Sequence, residues 1–172
     1  PTEAARPHRR SAVTLRRTTP PVEVERGETV LAWASAAEGA VAGTRAALYL
    51  PGGRRVPWEQ VEAADWDNDT DTLRVSEVGA WGEPRPTYSF VLGEPNRLLQ
   101  LVRERVTATV VLQRHVPIRG TRGLRVIARR APTGAREVTW LFEYDEGIDP
   151  DDPFVDHAAQ EALAAARGEV GD

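Results

Sequence analysis

The chain has 172 residues, 41% apolar and 28% charged, with a formal net charge of −4, which is enough for one globular domain with a real core. Cysteine is absent, so disulfides, thiolate zinc sites and cysteine nucleophiles are excluded. All 22 basic residues are arginine; without lysine there is no Schiff-base or phosphate-loop lysine, and the bias reads as GC-rich coding rather than selected arginine chemistry.

In chain order, residues 1–21 read as a disordered basic tail, Arg- and Thr-rich and closed by Thr18-Thr19-Pro20-Pro21. No apolar stretch follows its arginines, so it does not read as a signal peptide. Residues 22–172 read as one domain. Glu28 to Ala36 is a predicted strand, Glu38-Gly39 a turn, Ala40 to Leu50 a second strand and Pro51-Gly52-Gly53 another turn. Val56 to Trp66 is less regular, and Pro57 marks its start as an edge. Asp67 to Asp71 is a turn whose side chains bond their own backbone. Leu73 to Val78 and Tyr88 to Leu92 are strands, separated by a Gly/Pro-rich loop over 79–86 that carries Trp81.

Pro95 to Val106 has helical periodicity, with Leu98, Leu99, Val102 and Val106 on one face. Thr107 to Ile118 and Leu124 to Arg130 are strands around the turn Arg119 to Gly123, and Val138 to Tyr144 is the last strand. Asp152 and Pro153 open a helix to about Arg167, with Phe154, Val155, Ala158, Ala159, Ala162, Leu163 and Ala166 as its buried stripe.

Three segments carry a resemblance: Glu28-Thr29-Val30-Leu31-Ala32-Trp33, then Ala42-Gly43-Thr44-Arg45-Ala46-Ala47-Leu48-Tyr49-Leu50, then Arg55-Val56-Pro57-Trp58-Glu59-Gln60-Val61. Over residues 22–92 this resembles the opening of bacterial PH-like and GRAM-like domains, in which an E-x-V-L strand leads to a G/T-x-x-R-L-Y/L strand and then to I-P-W/L-x-x-I. The whole chain also resembles proteins of GC-rich bacteria, a resemblance that brings no function with it. The PH-like resemblance implies an adaptor that binds lipids, peptides or protein partners rather than an enzyme. The expected fold is α+β, an antiparallel PH-like roll or small barrel of about eight strands with two packing helices; the helix at 95–106 followed by three more strands departs from the family pattern.

The chemistry-bearing motifs are few. Asp67-x-Asp69-x-Asp71 has the opening spacing of a calcium loop, but Thr72 and Val78 stand where an EF-hand needs Gly and a bidentate Glu. The acids Glu143, Asp145, Glu146, Asp149, Asp151 and Asp152 read as helix capping and counter-charge rather than as a cation site. His8, His115 and His157 have no metal-ligand spacing, no serine lies in a nucleophile elbow, and Glu59, Glu62 and Asp65 are unranked candidates for acid–base chemistry. No catalytic set, metal or cofactor is expected. Trp33 and Trp140 are assigned to the core. Trp81 is either a plug over the core or an exposed anchor of the kind found in binding hot spots.

The sharpest feature is charge. Residues 95–136 hold 10 arginines against Glu104, and residues 137–172 hold 11 acids against Arg167. Arg114, Arg119, Arg122, Arg125, Arg129 and Arg130 straddle one hairpin, and several are expected to converge on one face, where guanidinium forks suit carboxylate or phosphate. The candidate contact residues are thus Arg114, Arg119, Arg122, Arg125 and Arg129, with Trp81. Their target is an acidic protein surface, including this chain's own 143–152, or nucleic acid, although the aromatics that interleave single-strand sites are missing here. Lipid is disfavoured, because the resemblance places it at the first hairpin turn, here the acidic Glu38-Gly39. No apolar run approaches the roughly 20 residues of a membrane span, and the cytoplasm is the expected location. The reading is a non-enzymatic binding module working through the arginine hairpin; the alternatives are a nucleic-acid-associated protein using the same arginines, or an enzyme with a carboxylate site.

Overall fold

The structure is a computed structural model that describes residues 20–79, 85–134 and 137–171. It is α+β, with two antiparallel sheets and two helices. The first sheet comprises β1 (Ala32–Ala36), β2 (Gly39–Gly43), β3 (Ala47–Leu50), β4 (Arg54–Pro57), β5 (Val61–Asp67), β6 (Thr72–Glu77) and β7 (Thr87–Gly93), in the order β4-β3-β2-β1-β7-β6-β5. The two halves meet through two residue pairs of β1 and β7, Ser35 with Gly93 and Ala36 with Leu92. Helix α1 (Asn96–Thr109) follows. The second sheet has β8 (Val110–Arg119), β9 (Arg122–Arg130) and β10 (Val138–Tyr144) in the order β10-β9-β8, and α2 (Pro153–Val170) closes the described chain.

Ten strands stand where about eight were expected, because two predicted strands are each broken. The run 40–50 breaks at Thr44, whose hydroxyl accepts the amides of Ala46 at 3.2 Å and Ala47 at 3.1 Å, a local side-chain turn that competes with the ladder. The run 56–66 breaks at a short 3₁₀ turn over Trp58–Gln60. The fully buried Trp58 indole there donates to the Thr44 carbonyl at 3.1 Å. Pro57 ends β4, an edge strand as its missing N–H requires.

Leu98, Leu101 and Val102 of α1 join Val41, Leu48, Val56, Trp58, Leu73 and Val75 in the core of the first sheet. Gly43 permits this approach: a Cβ there would lie 2.6 Å from Leu101 Cδ2. The helix runs three residues past its predicted end, into Thr107–Thr109. The Thr109 hydroxyl donates back to the Val106 carbonyl at 2.7 Å, so burial and a side-chain bond override the β preference of these residues.

The second core lies between β8, β9, β10 and α2 and includes Leu124, Val126, Ile148, Val155 and Ala159. Asp152 caps α2 through Phe154 N at 2.9 Å, and Gly171, at φ 76°, ends it. The buried stripe of α2 is Val155, Ala159, Ala162 and Ala166. Phe154, expected in that stripe, is 66% exposed, since it sits one residue, about 100° of helix, away from Val155. Trp140 packs in this second core, and Trp33 packs with Tyr49 on the other face of the first sheet.

Candidate functional site

The arginine hairpin does not present one basic face. Alternate residues of a strand point to opposite sides, and the register sets Arg114 opposite Val126 but Arg125 opposite His115. Arg114 therefore lies on the α2 side of the sheet, where it forms an ion pair with Glu169 near the end of α2. Arg125, on the other side, reaches Glu143 at 3.3 Å and Asp145 at 3.9 Å. Asp145 also accepts Gly123 N at 2.8 Å and lies 3.4 Å from His115 Nε2. The Gly123 amide first, then His115 and Arg125, hold its carboxyl below the usual range against a desolvation cost. Arg122 donates to the Glu146 carbonyl at 3.4 Å, and Arg119 lies 4.0 Å from Asp152. The acidic segment 143–152 is thus folded onto the basic hairpin. Arg119 is open, with its side chain 71% exposed, and Arg122 is exposed as well. Trp81 lies outside the described residues.

Arg129 is not on the surface. It is 4% exposed and donates to the carbonyls of Val61 at 2.7 Å and Glu62 at 2.8 Å and to the Thr109 hydroxyl at 3.3 Å. It fastens the second sheet to the start of β5. Burial pulls its pKa down, and Glu143 and Glu62 act in the opposite direction.

The carboxylates left unranked by sequence fall in separate settings. Glu59 has a buried Oε2 without a hydrogen-bond partner among the described residues. Glu62 is nearly buried and pairs with Arg85 at 2.5 Å. Burial pushes its pKa up, Arg85 opposes this, and Glu143 adds to it. Asp65 lies on the outer part of β5. Among the described residues, no group of three or more His, Cys, Asp or Glu is placed to hold a metal ion.

Sequence reasoning missed two features. The first is a polar knot around Glu28, whose carboxylate accepts Thr44 Oγ1 at 2.6 Å, Tyr49 OH at 3.1 Å and Arg55 Nη2 at 2.5 Å. Burial pushes this carboxyl up, but the bonds from Thr44, Arg55 and Tyr49 outweigh it and hold the group below its ordinary value. These bonds pin the residues before β1 to β3 and β4. The only sequence signal was the Glu of the E-x-V-L strand.

The second is a groove between β5 and α1. β5 ends the seven-strand order, so its outer edge has no strand partner among the described residues; Arg129 takes the carbonyls of Val61 and Glu62 at its start, and the free stretch is the part beyond them. Beside it runs a cavity of about 420 Å³ lined by Ala64, Asp65, Trp66, Leu73, Leu99 and Val102, with Arg103, Val106 and Thr107 farther along the helix. A shallower extension of about 290 Å³ continues past Leu99 and Arg103 to Asn96 and Glu104. The amphipathic stripe of α1 was visible in the sequence; that it stops short of covering β5 was not. An unpaired strand edge beside an apolar trough can pair with an extended backbone and seat its side chains.

No family model, curated protein or solved structure matches this chain. Among the described residues, no helix is long and apolar enough to cross a membrane.

Proposed function

We propose that this chain is a non-enzymatic binding module, an adaptor of PH-like architecture acting in the cytoplasm, that takes an extended segment of a protein partner along β5 beneath α1. The observation that carries it is the open edge of β5 beside a trough floored by Leu73, Leu99 and Val102 and rimmed by Asp65, Asn68 and Arg103. Seven antiparallel strands followed by a packing helix also suit a PH-like module. The arginine hairpin is a weaker contact surface, because Arg114 and Arg125 are engaged by acids of this chain and Arg129 is internal. Nucleic-acid binding keeps one observation in its favour, the exposed guanidinium of Arg119 at the hairpin end, with Arg122 beside it.

A pull-down from host lysate tests the reading, comparing wild type, Leu99→Asp and Arg119→Glu/Arg122→Glu, each with and without nuclease and each checked for folding by circular dichroism. A protein kept by wild type and by the arginine variant, lost from Leu99→Asp and indifferent to nuclease is the expected result. Recovery lost on nuclease treatment, or lost only from the arginine variant, would replace this reading with the nucleic-acid or hairpin one.

A further inference from the structure

We infer that the segment bound in the β5–α1 groove carries an acidic side chain next to an aliphatic one, with the carboxylate seated on Arg103; this rests on the groove reading above. Charge lies on both sides of the groove. Asp65, on the strand rim, is set across the ladder from Arg74, a register at which opposite charges attract. Glu104, at the outer extension, accepts the Gln100 amide at 2.9 Å. Arg103 is exposed, lines both the main cavity and its extension, and has no ion-pair or hydrogen-bond partner among the described residues. One turn on, Thr107 lines the same rim and offers a hydroxyl. On the helix side of the main cavity the one charged group among the described residues is therefore the Arg103 guanidinium, with the Thr107 hydroxyl beside it, above a floor of Leu73, Leu99 and Val102.

A guanidinium in that position favours a carboxylate, which it can engage with two parallel bonds. The floor calls for an aliphatic neighbour, and the unpaired strand edge calls for an extended backbone. Because the trough continues past Arg103 toward Asn96, a bound chain can run on in both directions. The carboxylate is accordingly that of an internal Asp or Glu rather than a chain terminus.

The test is a displayed random-peptide library panned on the full chain, followed by fluorescence-anisotropy titration of the selected peptides against wild type, Arg103→Glu and Leu99→Asp. The expected pool is enriched in Asp or Glu beside aliphatic residues. Its members bind Arg103→Glu on the order of tenfold or more weakly and also weaken on Leu99→Asp, and reversing the peptide's acidic residue to arginine restores binding to Arg103→Glu. Peptides that need Leu99 but bind Arg103→Glu as well as wild type would overturn the carboxylate assignment and leave the groove standing. Peptides indifferent to both variants, or a pool with no enrichment, would overturn the groove as well.

Discussion

The seven-stranded sheet with α1 and the three-stranded sheet with α2 spend their charged residues in opposite ways. In the first, ionic contacts are scattered one by one, with Glu28 bound by Thr44, Tyr49 and Arg55, Glu77 by Arg54 and Glu62 by Arg85. Much of its rim is left open, including the edge of β5 and the groove under α1. In the second, the densest arginine segment of the chain is met by the acidic segment that follows it, through Arg114–Glu169, Arg125–Glu143 and the longer Arg119–Asp152 approach. A concentration of charge in a sequence is therefore a poor guide to a contact surface when the opposite charge follows within a few tens of residues. The more inviting surface lies where composition is ordinary and the topology leaves a strand without a neighbour.

Mutations that break each region separately sharpen the contrast. The largest effect is expected for Trp58→Ala, which empties a fully buried site between Gly43 and α1; it should cost about 4 kcal/mol in urea denaturation. Next is Arg129→Met. It leaves the Val61 and Glu62 carbonyls without their guanidinium donor and should cost about 3 kcal/mol, with faster amide exchange at the start of β5. A smaller loss would show that the two sheets are held together by other contacts.

Glu28→Gln should cost about 2 kcal/mol at neutral pH through weakened bonds to Arg55, Thr44 and Tyr49. The pH dependence of half-buried Glu28 and buried Glu62 runs in opposite directions. Glu28 has a folded pKa below its unfolded value, so its stabilisation is present above the unfolded pKa and is lost as pH falls through the folded one. Glu62 has a folded pKa above its unfolded value, so its contribution is fully present below the unfolded pKa and is lost as pH rises through the folded one. Glu28→Gln should therefore flatten the acid limb of the stability profile, while Glu62→Gln should steepen it. Parallel changes in both profiles would refute that assignment.

The smallest effect is expected at Arg125, whose side chain is 39% exposed. Arg125→Gln should cost under about 1 kcal/mol and less still in high salt. A cost of several kcal/mol would mean that the hairpin ion pairs organise the second sheet rather than decorate it.

The sequence announced the elements whose signals are local. Alternation of Leu124, Val126 and Ala128 marked β9, the stripe of Val155, Ala159, Ala162 and Ala166 with Asp152 and Pro153 marked α2, and Leu98 and Val102 marked α1. The break at Thr44 was hidden because Ala46 and Ala47 continue an apolar strand pattern and only a side-chain bond interrupts it. The pairing of the arginines was anticipated in kind, as contact with 143–152, but Glu169 lies 55 residues from Arg114 and no local pattern points to it. Arg129 shares the strand face of Arg125, so alternation alone does not show that its end of β9 is buried against β5. The groove escaped notice because β5 and α1 are separated along the chain by two strands, and neither carries a motif.

The central claim, that the contact surface is the β5–α1 groove rather than the arginine hairpin, is tested most directly by photo-crosslinking in host cells. A photoreactive phenylalanine analogue is placed at Leu99 or at Arg119 of otherwise unchanged chains. The account predicts a discrete protein adduct from position 99 and none from position 119. Adducts from position 119 alone, whether to protein or to nucleic acid, would contradict it.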